Sequence, residues 1–296
     1  MCALIVVVAA IACAQYFGRN KVQYEHFDFK VMHAGPFAIY YYPEERAAVT
    51  DAARMLQRWN RRYSLLFDTS ISRNQPVVLY ADHADFQQTN VISGLIPQST
   101  GGVTEGLRNR VVIPLTGVYS ENDHVLGHEL VHVYHYAIMK SLPRGLQSSR
   151  NIPLWFIEGM SEYLSIGPSS PLTTMWMRDA IIHNDLPTIR QVSRDQSYFP
   201  YRFGHAIWSY IGGTWGDTVV PKLYYATLQS DFYRAVKEVL GIGVDSLSVL
   251  WREAIKATMN PDLQGRINPS GYGNPVITGE GGINLSPSVS PDGSYV

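Results

Sequence analysis

Cysteine is nearly missing from this sequence: 296 residues include only Cys2 and Cys13, both within the first fourteen positions. From Gln15 onward there is no thiol, which removes disulfides, thiolate metal ligands and cysteine nucleophiles from consideration. Clustered positive charge is missing too. Lysine and arginine number 24 against 25 acidic residues, and no cationic run occurs. Affinity for phosphate backbones needs such a cluster, so no nucleic-acid partner is expected. Nor is there an apolar run long enough for a membrane span, which takes about 20 residues. With 46% hydrophobic and 17% charged residues, the chain suits one large or two small globular domains with a sizeable core.

The longest apolar stretch, Ala3 to Ala14 in "MCALIVVVAAIACAQYFG", ends in Ala12-Cys13-Ala14. That small-x-small pattern suits signal peptidase, so residues 1–14 read as a signal peptide, although a basic n-region is missing. The expected location is the bacterial envelope, periplasmic or extracellular. A second reading makes Cys13, preceded by Ala10-Ile11-Ala12, the lipidated residue of a lipoprotein, and membrane association would then follow.

"FAIYYYP" from Phe37, "PVVLYAD" (Pro76 to Asp82) and "RVVIPL" (Arg110 to Leu115) read as strands, with "GGVTEG" as a short exposed strand or hairpin. Between them, Val49, Ala52, Ala53, Leu56, Trp59, Tyr63 and Leu66 recur at three- and four-residue intervals, one face of a long amphipathic helix over Glu44 to Phe67. From Asn122 to Thr258 the signals are helical, with breaks at Pro143-Arg144-Gly145, Gly167-Pro168 and Gly212-Gly213. The expected class is α+β: a small N-terminal mixed sheet with helices, then a mainly helical half. The predicted division is a main domain over 22–259, a Pro/Gly/Ser/Asn-rich linker over 260–282, and a distinct segment over 283–296. That last segment, "INLSPSVSPDGSYV", resembles the opening of a blade in TolB-like β-propellers, with a turn at Ser290-Pro291-Asp292-Gly293. One blade fragment cannot bury a propeller core, so the resemblance implies a longer chain.

The chemistry concentrates in "VLGHELVHVYHY", Val125 to Tyr136. Residues four apart share one face of an α-helix, so His128 and His132 can direct imidazole nitrogens at one metal ion, with zinc the expected cofactor. Glu129 is rotated about 100° from His128, which suits a base holding a metal-bound water better than a ligand. His124 and His135 also sit at helical spacing and read as surface or hydrogen-bonded histidines. Downstream, "NIPLWFIEGMSEYLS" places Glu158 and Glu162 one turn apart on an otherwise apolar helix. Two buried carboxylates there need a cation, and either could approach the same ion.

"HELVH" followed by "WFIEGMSEY" resembles the gluzincin zinc metallopeptidases, the thermolysin-like or peptidase MA-like group. The resemblance implies that His128, His132 and Glu158 ligate zinc, that Glu129 is the catalytic base, and that Glu162 supports a ligand histidine by hydrogen bonding. It covers Val125 to Leu164, and the interval from His132 to Glu158 is longer than in many gluzincins. It further implies a peptide or protein substrate, paired with an edge strand near Gly101 to Glu105, and a donor to the reaction's oxyanion. The run "YFPYRFGHAIWSYI" offers Tyr198, Tyr201, Arg202 and His205; Tyr201 and Tyr198 are the favoured donors, His205 the third. The alternative function is a non-catalytic, metal-bearing interaction module coupled to a C-terminal propeller.

Overall fold

The computed structural model describes residues 21–106, 108–143, 152–266 and 288–294. The signal-peptide reading of 1–14, Cys13, the Arg144-Gly145 break and most of the linker and blade segment lie outside the described residues.

Five strands form one sheet in the order β1-β2-β3-β5-β4. β1 (Lys30–Ala34) and β2 (Phe37–Tyr41) form an antiparallel hairpin, with Ala34 opposite Phe37. The turn uses Gly35 at a φ of 59°, where a side chain would be strained. β3 (Gln75–Tyr80) runs parallel to β2 and β5 (Arg110–Pro114) parallel to β3, while β4 (Val103–Glu105) lies antiparallel to β5 at the sheet edge. A parallel pair needs a crossover. The helix α1 (Arg46–Leu66) supplies it between β2 and β3, burying the face read from the sequence, Val49, Ala52, Ala53, Leu56, Trp59 and Tyr63.

Successive strand residues face opposite sides. Val77, Leu79, Val111 and Ile113 join the main core with the helices, whereas Tyr80 and Val112 join a smaller cluster with Phe86, Ile96, Phe27 and Phe29 on the far face. After β3 comes the single-turn α2 (His83–Phe86), capped by Asp82. The helical half follows: α3 (Tyr119–Ser141), α4 (Leu154–Ile166), α5 (Pro171–Ile182), α6 (Ile189–Arg194), α7 (Pro200–Trp215), α8 (Val219–Gln229), α9 (Phe232–Leu240) and α10 (Val244–Leu263). The protein is thus α+β, a small mixed sheet followed by helices. Among the described residues no helix is long and apolar enough to cross a membrane.

Three features differ from the sequence reading. Strand β1 and helix α2 were not anticipated: β1 is largely exposed, so its burial leaves little hydrophobic alternation to read. Gly212-Gly213 does not break the chain. Both glycines lie inside α7, and a Cβ on Gly212 would collide with the Tyr163 hydroxyl; that glycine reports close packing. Finally, α10 runs past residue 259 to Leu263 with Pro261 inside it, so the first residues given to the linker are helical. At the far end, the Gly293 amide donates to the Ser290 carbonyl at 2.8 Å, closing the turn read at Ser290 to Gly293.

Candidate metal centre

Glycine contacts set how closely the helices approach. Gly127 on α3 lies against the Trp59 ring of α1, where a Cβ would come within 2.8 Å. The α4–α7 crossing is tighter. A Cβ on Gly159 would overlap the Gly204 backbone, and one on Gly204 would overlap the carbonyl of Trp155. Neighbours of these glycines are thereby forced together: Glu158 and Glu162 from α4, Tyr201 and Arg202 from the first turn of α7.

His128 and His132 project from α3 toward Glu158. The distance from His128 Nε2 to His132 Nε2 is 3.2 Å, from His128 Nε2 to Glu158 Oε2 3.2 Å, and from His132 Nε2 to Glu158 Oε2 3.3 Å. Zinc bonds of about 2.0–2.1 Å in a tetrahedron place ligand atoms about 3.3–3.4 Å apart. The triangle therefore already has the dimensions of three corners of such a site, and these buried groups could hold a metal ion.

Behind the triangle, Glu162 is nearly enclosed. Its Oε1 lies 3.0 Å from His128 Nδ1 and 3.4 Å from His124 Nε2, and its Oε2 accepts from Arg202 Nη1 at 2.7 Å. A proton on Nδ1, donated to Glu162, leaves the Nε2 lone pair of His128 directed at the triangle. His124 completes this layer through a 3.0 Å contact between Nδ1 and Ser165 Oγ. A second grouping, His124, His128 and Glu162, also has donor atoms close enough for a metal. It would take the Nδ1 side of His128 away from Glu162, whose other oxygen already serves Arg202, so the first grouping is the better metal site.

Charge balance points the same way. Among the described residues, Glu129 and Glu162 are buried and the Glu158 side chain is 13% exposed, against the single guanidinium of Arg202. Three carboxylates and one guanidinium leave two negative charges in excess, which a divalent cation would offset. Without a metal, protons do that work. Burial alone would lower the pKa of His128, but hydrogen bonds with Glu158 and Glu162 push it up to about 10. Burial would raise both glutamates, yet their histidine partners hold Glu158 and Glu162 well below the usual carboxylate range.

Glu129 sits on the cleft side of α3. Thr104, on edge strand β4, donates its hydroxyl to Glu129 Oε2 at 2.7 Å and also lies 3.0 Å from the Glu129 main-chain oxygen. A Cβ on Gly102 would come within 3.2 Å of Glu129 Oε1 and 3.0 Å of Ile113. Two cavities, of about 340 and 410 Å³, flank the centre and share Gly102, His128, Glu129 and Tyr201 as walls. The first is bounded farther out by Tyr136, Ile152, Leu154 and Ile157, the second by Ser99, Thr100, His124 and Phe199.

Of the proposed donors, Tyr201 is at the site. Its ring stacks on His128 with centroids 5.9 Å apart and planes 16° off parallel. Burial, then the charges of Glu158 and Glu129, raise its pKa above the ordinary phenol value, so it stays protonated. The other two point elsewhere. Tyr198 precedes α7 and donates to Asp185 Oδ1 at 2.7 Å, and His205 donates Nε2–H to the Gly167 carbonyl at 2.8 Å. His205 lies a turn past Tyr201 on the same side of α7, but its Nε2 is committed to that carbonyl and it lines neither cavity. His135 is buried, with Nε2 3.2 Å from Met160 Sδ and its ring 4.5 Å from that of Tyr224. Burial lowers its pKa well below the usual value.

The sequence reading missed Gly102 and Thr104 and gave Arg202 no role. Arg202 was within reach, since an arginine beside the candidate Tyr201 could neutralise a carboxylate. The other two become visible only when β4 is laid against α3. No protein-family model matches the chain and no curated protein matches it, so its chemistry is read from the centre itself.

Proposed function

We propose that the protein is an exported zinc-dependent peptidase of the gluzincin type, acting on peptide or protein substrates in the bacterial envelope. The observation that carries this reading is the His128–His132–Glu158 triangle with the anchored carboxylate of Glu129 beside it. Zinc held there would supply a Lewis acid and bring the pKa of a coordinated water to about 7. Glu129 takes the proton of the attacking water and delivers it to the leaving amine. Tyr201, protonated at working pH, donates to the developing oxyanion. Edge strand β4 offers unpaired backbone groups along the cleft to an extended peptide, while Glu162, clamped by Arg202, keeps His128 oriented.

The test combines metal analysis with one conservative substitution. Dialysed wild-type protein is expected to retain about one zinc per chain, and Glu129→Gln to keep that zinc while losing hydrolysis of an internally quenched peptide library. Less than about a tenth of an equivalent, without recovery on adding zinc, removes the site assignment. Full zinc with no Glu129-dependent hydrolysis replaces the peptidase with a non-catalytic, metal-bearing interaction module.

A further inference from the structure

Thr104 occupies an unusual position for a hydroxyl. Within β4, Val103 packs with the far-face cluster, so by alternation Thr104 faces α3, the side on which its sheet neighbours Val111 and Ile113 enter the main core. The residue is buried, and a valine there would satisfy both strand preference and burial. Its hydroxyl instead lies 2.7 Å from Glu129 Oε2.

We infer that Thr104 is a positioning residue that fixes the working geometry of Glu129, an inference that rests on the peptidase reading above. The hydroxyl has one proton and two lone pairs. It donates to Oε2 while Glu129 is a carboxylate and can accept from a carboxylic acid, so it supports the side chain before and after proton uptake. With Oε2 anchored, Oε1 is the oxygen left for the substrate water. Oε1 is also the atom beside the bare Cα of Gly102, where any side chain would crowd it. Gly102 and Thr104 thus divide the carboxylate into a held oxygen and a free one, one just before and the other within the strand that would carry the substrate. A peptide seated on β4 is thereby held in fixed register with the base that serves it.

The experiment compares Thr104→Val, which keeps the shape and removes the hydroxyl, with Thr104→Ser, which restores the hydroxyl. Zinc content, kcat and KM are measured on the best-cleaved peptide of the quenched library, and metal-free crystal structures are determined alongside. The expected result for Thr104→Val is unchanged zinc, KM within about twofold, and kcat lower by about 10- to 100-fold, the usual range for groups acting through a neighbour. Thr104→Ser should recover most of the loss. The metal-free Thr104→Val crystal should show the Glu129 carboxylate displaced from its position in the wild-type crystal. If Thr104→Val does not fold, Thr104→Ala removes the same hydroxyl without overpacking and is held to the same expectations. The inference is overturned if kcat is unchanged, if only KM rises, if serine fails to restore what valine loses, or if Glu129 keeps its place in the Thr104→Val crystal. Wild-type protein without Glu129-dependent turnover would end the peptidase reading, and the crystal comparison would still decide whether Thr104 holds the carboxylate.

Discussion

Glu158 and Glu162 carry the same charge one helical turn apart, and what distinguishes them is what each carboxylate meets. Glu158 faces two imidazole Nε2 atoms, whereas Glu162 meets the Nδ1 side of His128 and a guanidinium. Replacing Glu158 with Gln should therefore weaken zinc binding severely, while Glu162→Gln should cost about 10- to 100-fold; paired zinc titrations rank them, and a larger loss at Glu162 would reverse the assignment. Proton linkage gives a second expectation. His128, pushed up to about 10 in the metal-free protein, is protonated at neutral pH and must shed that proton to ligate. Zinc affinity should then rise with pH through the neutral range toward about 10, with release of about one proton per zinc at pH 7. Calorimetry in buffers of different ionisation enthalpy measures that release, and a pH-independent affinity would contradict it. His128, Glu129 and His132 were legible because one helical turn encodes their juxtaposition. Tyr198 and His205 were not separable from Tyr201, because which of three polar rings faces a cleft depends on where α7 begins and how it is rotated.

At the level of elements, contacts between helices are made where side chains are missing. Gly204→Ala would drive a methyl into the α4 backbone and should destabilise the protein by about 1–3 kcal/mol, measured by urea unfolding, with weakened zinc binding because Tyr201 and Arg202 move with α7. Gly213 is the control. Nothing lies within 4 Å of a Cβ built there, and alanine is the better helix former, so Gly213→Ala should be neutral or stabilising by up to about 1 kcal/mol. Equal losses at both positions would mean that α7 tolerates no change at all and that the crossing is not special. Gly212, pressed against the Tyr163 hydroxyl, shows why no break occurs at Gly212-Gly213: in a single sequence, a glycine that ends a helix and one that lets another residue approach look identical.

Across the whole molecule, one continuous core runs from Phe37 on the sheet to Met259 on the last helix. Unfolding should accordingly be a single cooperative transition, with far-UV and near-UV circular dichroism curves coinciding for the metal-free protein; separated curves would divide the sheet from the helices. The order of a mixed sheet followed by helices was legible because strand and helix periods differ and α1 announces its buried face. The exposed strand β1 was not, since a strand with little burial writes no hydrophobic pattern. The placement of β4 was only half legible: an edge strand was expected, but not that Thr104 would turn inward to α3. That placement has a mechanical side. The ligands ride on α3 and α4, and Tyr201 and Arg202 on α7, which is locked backbone to backbone against α4, so this wall of the cleft is stiff. The opposite wall is a three-residue strand hydrogen-bonded to the sheet along one edge. Compliance is therefore lodged on the β4 side, pivoting about the hydrogen bond from Thr104 to Glu129, and structures with ligands of different girth should differ in the tilt of β4 about that point while the angle between α4 and α7 stays constant.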